Sequence, residues 1–533
     1  MDFKVLRGNA KRDIPFDERP YVSKRDSTEM ELRNRQTFYL ANIEVGSNED
    51  EIGVLVDTGS SDLWVTAHDS NCERSLSKRD IQVDSKLTKM KEDLSRKYPE
   101  DNIYDVNQNA AERKGTTSEI SLRPVWNINL SDLNLDIRNS GSSYIGNDLK
   151  NLKSSDNECT RYGSFRFSDS DTFSRNQSAN RFSISYADGT YARGFWGTDN
   201  VSFGNITVRD LSFAVSNDTT SDIGILGIGL SGLETTYSNQ NGGNYQYENL
   251  PLKLRNQGAI NKAAYSIYLG DEDSRTGTVL FGAVDSAKYS GDLQTVQIVN
   301  SARNYGYSDP IRIEVIVNGI SLNDSNTEVE ITSNDYTAVL DTGSTFSYFP
   351  TSLLSSLGET LNGQFSSSLG AYIVDCIDNN SYFFSIDFSG VRIDVPLTSL
   401  IQRYSYNQCF LSILEQSNSD YILFGDNVLR SAYLVIDLDD LEISMAQVRH
   451  TTEEDVAVIS SSVPNAVRAP GYSSTSLPSS VVESDSPAGT FGSGSNSGGR
   501  SGRSSGASMN RFSKGKVYGL FIGLSITVPL FLY

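Results

Sequence analysis

The stretches VLVDTGS at residues 54–60 and AVLDTGS at residues 338–344 are two copies of one short pattern. In each copy, a run of aliphatic and β-branched residues predicts a buried strand that ends on an aspartate, Asp57 or Asp341. The Thr-Gly-Ser that follows predicts a sharp turn, because glycine adopts turn conformations at little steric cost. We expect a carboxylate at the tip of such a strand to serve a function.

A second pattern follows each aspartate in the same order. An apolar-apolar-Gly run occurs at residues 223–229 and again at residues 422–426. The strand, the Asp-Thr-Gly-Ser turn and this run therefore appear twice, which predicts two related lobes. Strand-like alternation is common and helical patterns are few, so the sequence predicts a mainly β fold. The predicted strands and helices include residues 38–46, 52–56, 181–190, 192–203, 251–257, 351–361 and 427–432.

Length and charge narrow the class of protein. With 533 residues, the chain can form two lobes with appendages. Its formal net charge of -21, from 67 acidic and 46 basic residues, makes nucleic acid or an anionic membrane surface a poor partner for the folded body. Positively charged substrates fit this charge. Simple solubility at acidic pH also explains it, and charge alone favours that explanation.

Cysteine content and glycosylation acceptors indicate an oxidising, secretory compartment. The four cysteines fall two in each half of the chain. Sequence alone allows three pairings, and the clustering favours Cys72 with Cys159 and Cys376 with Cys409, one disulfide per lobe. Seven Asn-X-Ser/Thr acceptors point to a glycoprotein. They begin at Asn129, Asn176, Asn200, Asn205, Asn217, Asn323 and Asn379.

Composition outside the repeated patterns predicts several appendages. Dibasic pairs that end at Arg25 and Arg79 are candidate processing sites of a zymogen, although paired basic residues also occur inert on exposed loops. The long charged stretch after Cys72 predicts an insertion, and the Ser/Gly-rich stretch near the end predicts a flexible stalk. The predicted organisation is a pro-segment at 1–25, an N-terminal lobe at 26–235 with the insertion at 73–158, a C-terminal lobe at 236–450, the stalk at 451–510 and a tail at 511–533.

The tail predicts a lipid anchor. An apolar run at 517–533 follows a polar spacer and small residues, which is the layout of a GPI-attachment signal with Gly506 or Ser505 as the attachment site. A transmembrane helix is the alternative, but the run is short for a span and no basic stop follows it. The first residues lack the apolar segment that opens a secreted chain. We therefore expect the true start to lie upstream, or the chain to have been trimmed.

The residue types in the sequence favour catalysis by a pair of carboxylates. The two histidines, His68 and His450, are not accompanied by a nucleophile elbow or a zinc pattern, so we expect no Ser-His-Asp triad, metal or cofactor. If a pseudo-twofold relates the lobes, Asp57 faces Asp341 and the two carboxyls share a proton. One can then activate water while the other polarises a substrate carbonyl, which is peptide hydrolysis without a covalent intermediate. A glycosidase also uses two carboxylates, but it would not need them in duplicated turns.

Supporting roles follow for the residues beside the aspartates. We expect the two threonines to brace the loops, the two glycines to form the turns, and the two serines to bond the outer carboxylate oxygens. These residues are Thr58, Gly59, Ser60, Thr342, Gly343 and Ser344.

These residues resemble the pepsin-like aspartic proteases. Residues 56–65 and 339–345 look like the two active-site signatures of that family, and the resemblance covers about residues 37–448. It implies a mainly β, bilobal pepsin-like fold with the active-site cleft between two related lobes and a flap hairpin over the cleft. In this sequence Tyr186 matches the flap tyrosine, and Trp64 matches the tryptophan that pairs with it.

The insertion, stalk and tail are similar to those of the fungal yapsin subgroup. That resemblance implies a GPI-anchored enzyme of the cell surface that cleaves precursor or wall proteins at Lys or Arg. Asp188, two positions after Tyr186, would pair with such a side chain. The dipeptide of Asp188 and Gly189 is equally well explained as a favoured hairpin turn.

The expected assembly is a monomer, or two disulfide-linked chains after cleavage at Arg79, acting on peptide or protein substrates. Two other functions remain open. One is a non-catalytic wall protein that kept the pepsin fold as a binding module, and the other is an adhesin that acts through its insertion or stalk.

Overall fold

The structure, a computed structural model, describes most of the two predicted lobes. It covers residues 27–34, 39–72, 158–186 and 190–472, apart from short gaps at 205, 238–245, 272–273, 275, 325–326, 368, 378, 406–407 and 417–420. The predicted pro-segment, nearly all of the insertion, the hairpin tip with Asp188 and Gly189, and the C-terminal tail lie outside the described residues.

The described chain is mainly β, as the sequence predicts. Its first nine strands are β1 (Thr28–Asn34), β2 (Tyr39–Val45), β3 (Asp50–Asp57), β4 (Leu63–Asn71), β5 (Ser174–Arg175), β6 (Phe182–Ser185), β7 (Tyr191–Phe203), β8 (Ile206–Thr219) and β9 (Gly224–Gly227). The next nine are β10 (Ala264–Tyr268), β11 (Thr276–Phe281), β12 (Ala283–Asp285), β13 (Tyr289–Gln297), β14 (Glu314–Val317), β15 (Gly319–Asn323), β16 (Glu328–Thr332), β17 (Tyr336–Leu340) and β18 (Ser347–Phe349).

The remaining described elements follow the second aspartate or connect the strands. The strands are β19 (Gln364–Ser366), β20 (Ala371–Val374), β21 (Phe383–Phe388), β22 (Val391–Pro396), β23 (Ile401–Ser405), β24 (Gln408–Leu411), β25 (Ile413–Glu415), β26 (Ile422–Phe424), β27 (Ala432–Asp437), β28 (Glu442–Val448), β29 (Val456–Val458) and β30 (Val467–Arg468). The α-helices are α1 (Leu250–Asn256), α2 (Thr351–Thr360), α3 (Leu397–Leu400) and α4 (Asp426–Leu429).

One large sheet passes from the first half of the chain into the second. Its strand order is β30-β13-β28-β27-β10-β11-β1-β2-β3-β9-β4-β8-β7-β5, and β6 pairs with β7. The second half adds smaller sheets, ordered β14-β17-β26-β18-β25, β16-β15-β21-β22 and β19-β20-β24-β23. A continuous apolar core fills the space beneath these sheets.

Strand β1 joins the two halves and was not predicted from the sequence. Its sequence TEMELRN is rich in charge, yet Met30 and Leu32 alternate with the charged residues and are only 2% and 1% exposed. This period of two is the pattern of a strand with one buried face. β1 pairs antiparallel with both β2 and β11, and so connects the first hairpin to strands of the second half.

The predicted repeat appears as two copies of the same strand arrangement. In the first, β3 lies parallel to β9, and β9 is antiparallel to β4. In the second, β17 lies parallel to β26, and β26 is antiparallel to β18. Each apolar-apolar-Gly run therefore forms the strand beside the one that carries the aspartate.

Both disulfides join the cysteines that the clustering favours. Cys72 bonds Cys159 with their Cα atoms 5.8 Å apart, and Cys376 bonds Cys409 with their Cα atoms 5.1 Å apart. The first disulfide joins the two chain ends that flank residues 73–158, so it closes the base of the predicted insertion.

Residues 451–472 correct the predicted start of the stalk at 451. This segment, which we call the C-terminal strap, packs on the folded body: β29 pairs with β12, and β30 runs parallel to β13. Ile459 is fully buried, and its N–H donates to the Gly282 carbonyl at 2.8 Å. Ile459 and Ala469 are buried, whereas Val456 and Val467 are 48% exposed. The contacts that hold the segment are with distant parts of the chain, so local composition does not reveal them.

The helices of the described part are short. The longest, α2, has 10 residues, and no described helix combines the length and apolarity that crossing a bilayer requires. Within the same residues, no group of three or more His, Cys, Asp or Glu side chains is arranged to hold a metal ion.

Candidate active site

The repeated strand arrangement brings the two aspartates together. Asp57 is the last residue of β3, and Asp341 directly follows β17. Both lie beside the neighbouring apolar-apolar-Gly strand: the Asp57 carbonyl accepts from the Ile228 N–H at 2.9 Å, and the Asp341 N–H donates to the Phe424 carbonyl at 2.9 Å. The two side chains are 0% and 1% exposed, so they meet in the interior between the two halves.

Four reciprocal hydrogen bonds hold the two loops against each other. The Thr58 hydroxyl donates to the Leu340 carbonyl at 2.8 Å and accepts from the Thr342 N–H at 3.0 Å. The Thr342 hydroxyl donates to the Val56 carbonyl at 3.0 Å and accepts from the Thr58 N–H at 3.2 Å. Each threonine hydroxyl thus bonds two backbone groups of the opposite loop: the carbonyl just before the aspartate and the N–H just after it. This is the bracing that the repeat predicts.

The glycines allow the carboxyl groups to approach. The Gly59 N–H donates to Asp57 Oδ1 at 2.7 Å, and the Gly343 N–H donates to Asp341 Oδ1 at 2.8 Å. A Cβ atom on Gly59 would lie 2.6 Å from Asp341 Oδ1, closer than any side chain allows. Only glycine therefore fits at this position beside the opposite carboxyl group.

The two serines differ, and one prediction is wrong. The Ser60 hydroxyl donates to Asp57 Oδ2, as expected. The Ser344 hydroxyl instead donates to the Phe346 carbonyl at 3.2 Å, because the chain after the second turn folds back over it. The pair is therefore asymmetric, with an extra hydrogen bond on the Asp57 carboxylate.

The electrostatic environment also separates the two carboxyl groups. Burial raises the pKa of Asp57, although hydrogen bonds from Ser60 and Gly59 oppose this effect. Burial raises the pKa of Asp341 well above its usual range, and the neighbouring charge of Asp57 raises it further. Two hydrogen-bonded carboxyl groups in this situation hold one proton between them and titrate as a unit. Such a pair can offer a base and an acid at the same time.

An aromatic cluster lies beside the pair under the predicted flap. Strands β6 and β7 form the hairpin, and the Tyr186 N–H closes its last described rung on the Thr190 carbonyl at 2.8 Å. The indole N–H of Trp64 donates to the Tyr186 hydroxyl at 2.6 Å, so the residues that the resemblance pairs are in contact. Asp188 and Gly189, which the sequence predicts to form the hairpin turn, are outside the described residues.

Sequence reasoning missed a buried acid next to the pair. Asp426 directly follows the second apolar-apolar-Gly run, is fully buried, and has no hydrogen-bond partner for either carboxyl oxygen among the described residues. Burial raises its pKa well above the usual range, the Arg430 charge opposes this, and the Asp57 charge adds to it. Its position directly after the second apolar-apolar-Gly run was the sequence signal that could have identified it.

Sequence reasoning also missed a pair of buried acids behind the flap, Asp62 and Glu234. Both contact Tyr247, and their side chains are only 2% and 1% exposed. Asp62 lies within the first signature, so its position was visible, but its partners were not. Of the other predicted residues, His68 and His450 are exposed, and Arg25, Arg79, Ser505 and Gly506 lie outside the described residues.

Comparison with known proteins identifies the class that this fold and site define. The family profile described as "Eukaryotic aspartyl protease" matches residues 38–120 and 131–448. The chain belongs to this family and is an aspartic protease with the pepsin-like bilobal fold.

The similar proteins are fungal secreted and yapsin-type enzymes. The chain is 43% identical over 479 residues to secreted aspartic protease 9 of Candida albicans, covering 87% of each chain. It is 38% identical over 503 residues to aspartic proteinase 3 of Saccharomyces cerevisiae, covering 90% of this chain and 83% of that one. It is 33% identical over 450 residues to aspartic proteinase yapsin-3 of the same yeast, covering 83% and 73%.

Proposed function

We propose that Asp57 and Asp341 are the catalytic dyad of this aspartic protease. The observation that carries the proposal is a buried, mutually hydrogen-bonded carboxyl pair at the meeting point of two loops that brace each other. Burying two carboxyl groups in contact with each other costs folding free energy. Such pairs, with raised pKa values, are therefore characteristic of acid–base sites.

The asymmetry of the pair suggests the roles. Asp57, which accepts hydrogen bonds from Ser60 and Gly59, is the carboxylate that removes a proton from water as the water oxygen bonds to the substrate carbonyl carbon. Asp341, whose pKa is raised further, gives its proton to the carbonyl oxygen. The tetrahedral intermediate then collapses: the C–N bond breaks, the amine nitrogen takes the proton from Asp57, and the hydroxyl proton returns to Asp341.

Single amide substitutions test the dyad. Asp57→Asn and Asp341→Asn each keep the side-chain shape and remove one ionisable group, so we expect kcat to fall by about 100- to 10,000-fold. Asp69→Asn, at an exposed position of β4, is the matched control and should leave hydrolysis unchanged. Unfolding temperatures establish that the variants are folded. Hydrolysis by either dyad variant at close to the wild-type rate would refute the assignment.

We also propose that the enzyme acts at the fungal cell surface as a GPI-anchored protein and cleaves after Lys or Arg. The tail layout, the glycosylation acceptors and the disulfides support the location, and two of the relatives are named secreted or yapsin-type enzymes. The position of Asp188, two residues after Tyr186, supports the specificity, because a carboxylate beside the cleft would pair with a basic side chain. Cleavage at Arg79 would leave two chains joined by Cys72 and Cys159.

A peptide assay tests the specificity. The purified ectodomain is offered matched peptides with Lys-Arg or Leu at the cleavage position across acidic pH, with and without a transition-state-mimicking inhibitor of aspartic proteases. We expect inhibitor-sensitive cleavage after the basic residue, and Asp188→Thr should lower that rate relative to cleavage after Leu. Asp169→Thr, at an exposed position, is the control. An unchanged ratio in Asp188→Thr would remove Asp188 from the pocket.

A further inference from the structure

Two buried carboxyl groups behind the flap hold the same tyrosine. Asp62, which lies five positions after Asp57, accepts a hydrogen bond from the Tyr247 hydroxyl at 2.5 Å. Glu234 accepts a hydrogen bond through Oε2 from the Tyr247 N–H at 3.1 Å. The hydroxyl end of Tyr247 is thus held by one acid and its backbone end by the other.

The Glu234 carboxyl is incompletely satisfied. Its Oε1 is buried and has no hydrogen-bond partner among the described residues. Asp62, by contrast, also accepts from the Thr235 N–H at 2.9 Å, so both of its oxygens are bonded. A buried carboxyl oxygen without a hydrogen-bond donor disfavours the charged form of the carboxyl group. Of the two acids, this applies to Glu234.

Tyr247 connects these acids to the flap through a series of tilted and edge-to-face contacts between aromatic rings. The Tyr247 ring centroid lies 5.3 Å from that of Trp196, which meets Phe182 edge-on at 5.4 Å. Phe182 in turn lies 6.5 Å from Trp64, whose indole N–H holds the Tyr186 hydroxyl. Because these side chains form one buried cluster, a displacement of Tyr247 removes support from the flap side of the cleft.

No cation compensates this pair in the described part of the chain. Burial raises the pKa of Glu234 to about 9, and the nearby charge of Asp62 raises it as well. Burial also raises the pKa of Asp62, although hydrogen bonds from Tyr247 and Thr235 oppose this effect. Ile311, in the second half of the chain, packs on Gly232, two residues before Glu234. The next residue, Arg312, is bound to Glu314 at 3.3 Å. The undescribed residues 238–245 contain no Asp, Glu, Lys, Arg or His.

We propose that Glu234 is a positioning residue that works in its protonated form. Neutral Glu234 keeps Tyr247 anchored beside Asp62 and supports the flap-side aromatic cluster. Ionised Glu234 adds an uncompensated negative charge next to Asp62, releases Tyr247, and loosens the flap as the pH rises. The proposal needs an active protease, but it does not depend on a preference for basic residues.

The pH profile of Glu234→Gln tests the proposal, because the amide keeps the size and hydrogen-bond acceptor of the neutral acid but does not ionise. At acidic pH we expect kcat and KM within about threefold of wild type. On the alkaline side, wild-type kcat/KM should fall while that of the variant persists about one pH unit further, a tenfold difference at a given pH. Glu248→Gln, on the same segment but with a side chain that is 44% exposed, should follow the wild-type curve. Coincident curves for Glu234→Gln and wild type would overturn the proposal.

Hydrogen exchange on the wild-type protein provides a second test if the variant does not fold. As the pH rises from 7 to 10, across the Glu234 pKa of about 9, with intrinsic exchange rates corrected for pH, we expect protection to fall in residues 182–186, 190–196 and 246–249. The β21–β22 hairpin, which is remote from Glu234 in the second half, should keep its protection and serves as the internal reference. Uniform loss, or no loss, in these segments would overturn the proposal. A protein that exchanges as expected but cleaves no peptide would count against the proposed function alone.

Discussion

The reciprocal threonine bonds support a quantitative prediction. Thr342→Val replaces the hydroxyl by a methyl group of similar size, so it removes hydrogen bonds without leaving a cavity. Two buried backbone groups lose their partner: the Val56 carbonyl, which accepts from Thr342 at 3.0 Å, and the Thr58 N–H, which donates to it at 3.2 Å. Thr58 and Val56 are 2% and 1% exposed, so water does not replace the lost bonds without a rearrangement.

The expected magnitude follows from these two groups. Leaving a buried donor or acceptor unsatisfied costs about 1–3 kcal/mol, so the two groups together should destabilise Thr342→Val by about 2–6 kcal/mol. The equivalent variant Thr58→Val leaves the Leu340 carbonyl and the Thr342 N–H without a hydrogen-bond partner. It should lower the free energy of unfolding by about the same amount. Thr342→Ser keeps both bonds and loses one methyl group, so it should cost only about 0.8 kcal/mol.

Guanidinium unfolding followed by circular dichroism measures these differences, and kcat/KM on one peptide measures the effect on the site. We expect the order wild type, Thr342→Ser, Thr342→Val in both measurements, because the loops that carry the two aspartates lose their alignment with the bonds. A Thr342→Val protein within about 0.5 kcal/mol of wild type would refute the reasoning, since that is the range of a neutral substitution. Equal losses in Thr342→Ser and Thr342→Val would show that shape, and not hydrogen bonding, matters.

Two further predictions concern the dyad and the C-terminal strap. Gly59→Ala would put a Cβ atom 2.6 Å from Asp341 Oδ1, so we expect kcat/KM to fall by about 100-fold, whereas Gly319→Ala, with no atom nearer than 3.5 Å, should have little effect. A chain ending at residue 450 loses Ile459 and both strap strands, so its unfolding temperature should fall clearly below that of a chain ending at residue 472. Wild-type kcat/KM in Gly59→Ala, or equal unfolding temperatures for the two chains, would contradict these predictions.

Local patterns in the sequence determined the main features of the fold. The two aspartate turns, the two apolar-apolar-Gly runs, three of the four described α-helices and the disulfide pairing are found where the sequence predicts them, whereas α3 was not predicted. These features depend on the types of a few consecutive residues, or on cysteines that cluster, so they can be recognised without knowing the path of the chain. A duplicated pattern also implies that equivalent residues meet across a pseudo-twofold, which is how Asp57 was matched with Asp341.

Two segments contained local signals of strand formation that sequence reasoning did not recognise. The alternation of Met30 and Leu32 was hidden by the charges of β1, and the apolar residues of the C-terminal strap were obscured by the Ser/Gly-rich stretch that follows it. In both segments a strand forms because an open sheet edge and a buried site are available elsewhere in the molecule. Tertiary structure therefore overrides propensity there.

Only the tertiary structure decided the partners of individual polar groups. Ser60 bonds Asp57, whereas the equivalent Ser344 bonds the Phe346 carbonyl, although their local sequences are nearly the same. The hydroxyl of Tyr247 reaches Asp62 across 185 positions of sequence, and Glu234 closes the same network. The reason is physical: a strand or turn is favoured by interactions between near neighbours, but the environment of a buried acid depends on which distant segments the fold packs around it.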